Sequence, residues 1–203
     1  LRHGWPLSAI TDEIRRALGV VPHILPMTDQ RAETKIVTGE GVLHFQEYLV
    51  QRRNEPAVQG VIYEGIEVAR PAPGVCEAIR TADGIIIPPS NPIVSIGTIL
   101  AVPGVRQALA ARRGRVVAVS PIVQGATLKG PADKLMVASG YEASALGVAR
   151  YYGALLDAFV LDTLDQPLAE SARHLDIGVR VLNTIMSGPA ERCALAQAVV
   201  EML

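Results

Sequence analysis

Ser90, Asn91 and Ser95 are the side chains whose setting most clearly suggests chemistry. They stand in the run Gly84-Ile85-Ile86-Ile87-Pro88-Pro89-Ser90-Asn91-Pro92-Ile93-Val94-Ser95-Ile96-Gly97. This reads as a short buried strand stopped by two prolines, then a small polar loop, then the start of an apolar helical pattern. Backbone N–H groups and the positive end of a helix dipole converge on such a loop, which suits it to anions. Taken alone, Pro-Pro-Ser-Asn-Pro is equally well read as a rigid connection. A second segment has the same design. Ser120-Pro121-Ile122-Val123-Gln124-Gly125 follows a strand-like run and continues through Lys129-Gly130-Pro131-Ala132-Asp133-Lys134. A third, Met27-Thr28-Asp29 with Glu33 and Thr34 close behind, ends the apolar stretch Val20 to Leu25.

Lysine is scarce, with Lys35, Lys129 and Lys134 set against sixteen arginines. Lys129-Gly130 at a helix entrance lets an ammonium meet an anion while glycine permits close backbone approach. Lys134 reads equally as a solvated helix residue. Asp162 and Asp165, near a strand end, suit either metal or ribose binding, or the capping of the next helix. His3, His23, His44 and His174 lack ligand spacing and read as structural or surface residues. Cys76 and Cys193 fall in amphipathic patterns and read as buried small hydrophobes in a reducing compartment, with the cytoplasm as the default location. Neither a Walker A pattern nor Gly-x-Gly-x-x-Gly occurs.

Alternating elements must position these residues. The patterning predicts a helix from about Pro6 to Leu18 with Ser8 as its cap and Gly19 as its stop, then a strand over Val20 to Leu25. A hairpin across Gly39-Glu40, a helix over His44 to Arg53 and a strand over Val58 to Tyr63 follow. From Pro73 onward, helix Gly74–Ala82, helical segments between Ile96 and Ala111, and helices Pro131–Ser139 and Glu142–Leu156 alternate with strands Gly84–Ile87, Arg115–Val119 and Phe159–Asp162. A helix at Leu168–His174, a strand at Val179–Leu182 and a helix at Ala190–Met202 complete the pattern. The strands are β-branched and lack polar alternation. This predicts a doubly wound, mostly parallel Rossmann-like α/β sheet with helices on both faces, in a single domain over residues 1–203. The carboxyl ends of its strands would bring the three polar loops to one crevice.

Composition narrows the class. A chain of 203 residues with 49% hydrophobic and 19% charged residues forms a substantial core. Its net charge of -1 excludes an electrostatically driven nucleic-acid binder. No apolar run approaches the roughly 18–20 residues of a membrane-spanning helix, and the start has no apolar signal-peptide core. Leu1 is not an initiator methionine, and the chain begins within a few residues of a helix, so an N-terminal portion is expected to be missing.

Together these segments resemble the 2-phospho-L-lactate transferase family. The strongest pieces are Pro89-Ser90-Asn91-Pro92-Ile93-Val94-Ser95-Ile96-Gly97, Ile99-Leu100-Ala101-Val102-Pro103-Gly104, Ser120-Pro121-Ile122-Val123 and Leu128-Lys129-Gly130-Pro131-Ala132-Asp133-Lys134. Leu25-Pro26-Met27-Thr28-Asp29, Phe45-Gln46-Glu47-Tyr48 and Thr184-Ile185-Met186 add weaker support. The resemblance implies transfer of a phospholactyl or phosphoenolpyruvyl group. The donor is activated by guanosine diphosphate, the acceptor is the ribityl hydroxyl of a deazaflavin, and guanosine monophosphate is released. It also implies magnesium and a homodimer. The sequence does not decide between the two donors, although the arginine-over-lysine bias with abundant Ala and Val points to a GC-rich genome and so toward an actinobacterial-type enolpyruvyl donor.

Carried onto this sequence, the resemblance places Thr28, Asp29 and Lys129 at the transfer chemistry. Ser90, Asn91, Pro92, Ser95, Ser120, Gly130 and Lys134 would form the donor and nucleotide site. The family's N-terminal glycine-rich loop and its metal-binding aspartates have no counterpart here, so metal ligands are expected outside the chain and the fragment alone is expected to show little activity. Gln30 stands where a second acidic residue is common, and Gln124 where glycine is common. A related family of similar fold, which binds nucleotide-sugars and regulates carbon metabolism and cell-wall synthesis without catalysis, is the alternative reading.

Overall fold

The computed structural model describes residues 4–203. Helix α1 (Leu7–Ala17) stops where expected, with Gly19 at a φ of 67°, a left-handed conformation that suits glycine. Its start differs from the prediction. Pro6 precedes the first turn, and the Ser8 N–H and hydroxyl donate instead to the Asp29 carboxylate, at 2.7 and 2.9 Å. The strand predicted over Val20 to Leu25 does not form. Pro22 and Pro26 remove ladder donors, Val21 and Ile24 face solvent, and only an isolated bridge joins Thr28 to Pro71.

The predicted hairpin is present as β1 (Glu33–Thr38) and β2 (Gly41–His44), and β3 (Val58–Glu64) pairs antiparallel with β1 on its other side. These strands make a separate sheet of order β2-β1-β3 rather than extending the parallel one. Between them the predicted helix carries a π-helical stretch, Glu47–Gln51, closed by Arg53 and Asn54 in the left-handed region.

Helix α2 (Val75–Thr81) leads to β4 (Gly84–Ile87). A π-helical turn, Pro92–Gly97, runs on into α3 (Thr98–Ala101), and α4 (Val105–Ala110) follows. Strand β5 (Arg115–Val119) ends in a small hairpin of β6 (Ile122–Val123) and β7 (Ala126–Thr127). Helices α5 (Ala132–Ala138) and α6 (Ala145–Tyr152) lead to β8 (Ala158–Asp162), then α7 (Ala169–Arg173), β9 (Gly178–Leu182) and α8 (Pro189–Val200).

Strands β4, β5, β8 and β9 lie side by side in that order and all parallel. Side chains on one strand alternate between faces. Val116 and Ala118 of β5, with Phe159 and Leu161 of β8, join the larger core, which also holds Ile36 and Tyr48 from the antiparallel region. Val117, Val119, Ala158 and Val160 point the other way, onto Leu195 and Val199 of α8. Burial on both faces explains why β5 and β8 read as almost unbroken apolar runs. The cysteines depart from expectation. Cys193 is exposed and Cys76 only partly buried, because α8 turns Leu195 and Val199, not Cys193, toward the sheet. No helix among the described residues is long and apolar enough to cross a membrane.

Candidate functional site

The four parallel strands end at one edge, and the connections leaving three of them enclose a cavity of about 280 Å³. Pro89 and Asn91 line it from the connection after β4. Ser120 to Ala132 supply a second wall through Val123, Thr127, Leu128 and Lys129. Thr184 and Met186, after β9, supply a third. Two of the three expected loops therefore meet. The third, Thr28-Asp29, does not reach the lining, because no parallel strand precedes it. Buried Thr28 donates to the Gln30 side-chain oxygen at 2.8 Å, which also accepts from the Arg70 N–H at 2.9 Å, while Asp29 holds Ser8. These groups join α1 to the approach of β1.

Asn91 caps the π-helical turn. Its side-chain oxygen accepts from the Ile93 and Val94 N–H groups, at 2.9 and 3.2 Å, with buried Pro92 in the first turn. The Ser90 N–H donates to the Pro88 carbonyl, and the Ser95 N–H to that of Asn91. The loop thus satisfies the Ser90, Ile93, Val94 and Ser95 N–H donors itself, contrary to the expectation that they stand free for a ligand. Ser90 and Ser95 are not among the residues that line the cavity. The turn is held from behind: the Tyr63 hydroxyl donates to the Ile93 carbonyl at 2.6 Å. Burial pushes the Tyr63 hydroxyl's pKa upward, so it remains a donor.

Ser120 is buried, and its hydroxyl is spent within its own turn, donating to the Ile122 carbonyl at 2.8 Å and accepting from the Ile122 N–H. It shapes the wall instead of offering a hydrogen bond. Gly130, at a φ of 78°, closes the lysine loop, its carbonyl accepting from the Thr127 hydroxyl at 2.5 Å. The three lysines separate sharply. Lys35 pairs with Glu33 at 2.8 Å and Glu64 at 3.4 Å. Lys134 donates to the Asn54 carbonyl at 2.7 Å and lines another cavity, of about 460 Å³, beside Glu55 and Asp133. Those carboxylates make that larger space unsuited to an anion. Lys129 alone lines the carboxyl-edge cavity, and it has no hydrogen-bond or ion-pair partner among the described residues.

Asp162 and Asp165 do cap and brace. Asp162 caps the 3₁₀ turn Thr163–Leu168 through the Leu164 N–H at 2.9 Å, and its other oxygen accepts from the Thr184 N–H and hydroxyl at 2.7 and 2.9 Å. Burial works against its charge, but the Leu164 and Thr184 donors outweigh it and hold the pKa below the ordinary value. Asp165 is pushed the other way by burial and by the Asp162 charge, with only the Gln124 N–H, at 3.0 Å, opposing. Neither carboxylate lines the cavity, and no group of three or more metal-ligating side chains occurs among the described residues. This donor set does not fit magnesium, which requires oxygen ligands, carboxylates above all. His23 and His174 are exposed, and the His44 Nδ1 accepts from the Gln46 N–H. His3 lies outside the described residues.

Thr184 and Met186 line the cavity from a strand end that the site prediction left out altogether. The rule that directs attention to strand ends applies equally to β9, and Thr184 follows that end by two residues.

Fold and site define a Rossmann-like α/β protein with a carboxyl-edge cleft, one lysine in its wall and no carboxylate on its lining. Such a cleft presents one cationic side chain with no carboxylate beside it on the lining. The family model described as 2-phospho-L-lactate transferase CofD matches residues 1–183, and the chain belongs to that family. It is 44% identical over 204 residues to a phosphoenolpyruvate transferase of Streptomyces griseus, covering 98% of this chain and 64% of that protein. It is 40% identical over 201 residues to a 2-phospho-L-lactate transferase of Methanosarcina mazei, covering 99% and 66%. The chain thus spans slightly less than two thirds of the length of these relatives. In structure it is similar to a UPF0052 family member from Bacillus halodurans. The TM-score is 0.66, at 16% identity, over 93% of this chain and 64% of that one, a likeness of fold alone.

Proposed function

We propose that this protein serves in the transfer of a phospholactyl or phosphoenolpyruvyl group from a guanosine-diphosphate-activated donor to the ribityl hydroxyl of 7,8-didemethyl-8-hydroxy-5-deazariboflavin. The hydroxyl oxygen forms a new bond to the phosphorus bearing the three-carbon acid. The phosphoanhydride bond to guanosine monophosphate breaks, and the hydroxyl proton passes to solvent. The observation that carries this reading is Lys129, the one lysine left unpaired among the described residues, in the wall of a 280 Å³ cavity. That volume suits a phosphorylated three-carbon acid, whereas a whole nucleotide-linked donor would extend beyond it.

Within the cavity, Lys129 offsets charge on the phosphoryl oxygens. The Asn91 side-chain NH2 offers a neutral hydrogen bond from a second wall, Thr184, its donors held by Asp162, shapes the third, and Val123, Leu128 and Met186 exclude water around the acid. Positioning and charge neutralisation are what phosphoryl transfer asks of a protein. Magnesium, implied by resemblance, has no fitting ligand set here, and no step is assigned to it. We further read the working protein as a homodimer. The 40–44% identity to proteins named as transferases favours this function over the nucleotide-sugar regulator.

The test is a fluorescence titration of the deazaflavin acceptor with and without guanosine diphosphate. Saturable binding strengthened by the nucleotide is expected. A folded protein that ignores both, or takes a uridine nucleotide-sugar instead, would overturn the reading.

A further inference from the structure

Two walls of the cavity are tied to the same short piece of chain. At the end of β8, Asp162 starts the 3₁₀ turn Thr163–Leu168 and Asp165 stands three residues on. Asp162 caps the turn from extended backbone and Asp165 lies within its first turn, so both carboxylates stand at its start. That geometry sends both carboxylates toward the loops around the cavity, where each takes hold of a different one. Asp162 accepts from the Thr184 N–H and hydroxyl, fixing the wall that carries Thr184 and Met186. Asp165 accepts from the Gln124 N–H at the tip of the β6–β7 hairpin, the strand pair from which the Thr127–Lys129 wall departs. Asp162 and Asp165 are only 1% and 5% exposed, so these bonds compete little with water.

Both held segments need holding. The hairpin has only two residues in each strand, and its turn residues Gln124 and Gly125 both have positive φ, 51° and 76°. Past β9 the chain from Asn183 to Ser187 has no regular structure, and Thr184 is its one fully buried side chain.

We propose that Asp162 and Asp165 are positioning residues, which together set the spacing between the Lys129 wall and the Thr184 wall. The proposal rests on the cavity being the donor site, but the bracing itself can be judged without a ligand. Amide hydrogen exchange is followed in the wild type, Asp162→Ala, Asp165→Ala and Asp165→Asn, together with guanosine diphosphate affinity. Asp162→Ala is expected to speed exchange at Thr184 and Ile185 at least tenfold while leaving Gln124 unchanged. Asp165→Ala is expected to do the reverse, speeding Gln124 and Thr127 to Lys129. Asp165→Asn keeps an oxygen that accepts the same N–H, and should restore wild-type exchange.

Each alanine variant should weaken the nucleotide about tenfold, and Asp165→Asn should recover that loss. Exchange that rises uniformly over the sheet in both alanine variants, or segments that stay protected in folded variants, would overturn the proposal. A wild type that shows the bracing but binds no nucleotide would refute the donor-site reading and leave the braces standing.

Discussion

Lys129 stands available while the other two lysines are committed. Lys35 is the clearest contrast. It holds Glu33, and together with Arg31 it pulls that carboxyl from an ordinary 4.5 down to about 2. A depressed carboxyl favours the folded state above its unfolded value, and that contribution is lost as pH falls through about 2. Lys35→Met should therefore move the Glu33 midpoint from about 2 back toward 4.5 in a carboxyl NMR titration; a midpoint that stays near 2 would assign the shift to Arg31 alone. Gln124 is a second residue whose environment decides the outcome. Its φ of 51° strains a side chain with a Cβ, whereas glycine is at ease there. Gln124→Gly should raise stability by about 0.5–1 kcal/mol, net of glycine's extra freedom in the unfolded chain. In thermal melts of a chain this size, that is a rise of roughly 1–4 °C. At this scale the sequence was legible for residue types and poorly legible for commitments. Asn91 and Lys129 could be picked out by type and setting. That the Ser120 hydroxyl is spent on Ile122, and that Asp29 serves Ser8, depends on turns and contacts that one-dimensional spacing does not encode.

The π-helical turn Pro92–Gly97 is the element that sets Asn91 beside the cavity, and its last residue is sterically pinned. A Cβ on Gly97 would lie 2.6 Å from the Tyr63 hydroxyl, 2.6 Å from the Tyr151 hydroxyl and 2.7 Å from the Pro92 carbonyl. Two elements, β3 and α6, thus press their tyrosines against one glycine. Gly97→Ala should cost about 1–3 kcal/mol, the usual range for overpacking, by urea denaturation. Indifference to that change would mean the tyrosines yield freely. The alternating helices and strands from Pro73 onward were readable because β-branched runs and amphipathic stretches have different periods. The antiparallel placement of β3 was not, since its pattern carries no information about direction. Val20 to Leu25 misled because its apolar residues suggest a strand, while Pro22 and Pro26 deny it the hydrogen bonds of one.

Across the whole molecule, stability concentrates in the parallel sheet and its two cores. The accessible surface is 11194 Å², against roughly 9,200 Å² expected for a folded monomer of this mass. Part of that surplus lies on α1, which buries none of its residues, and on Leu18 just after it, which is 73% exposed. Leu18→Glu should accordingly shift stability by no more than about 0.5 kcal/mol, whereas Phe159→Ala, in the sheet core, should cost about 3–5 kcal/mol. Denaturation midpoints of the two variants test this division; equal losses would mean that α1 belongs to the cooperative core. The convergence of polar loops at the carboxyl edge was foreseeable from the parallel topology, and the fourth strand end, with Thr184, follows from the same rule. The central claim is that this edge holds the phosphoryl end of a nucleotide-linked donor through Lys129. Calorimetric titration of guanosine diphosphate into the wild type and Lys129→Ala tests it most directly. The account predicts saturable binding that weakens at least tenfold in a variant with an unchanged melting temperature. Equal affinity in the two folded proteins would contradict it.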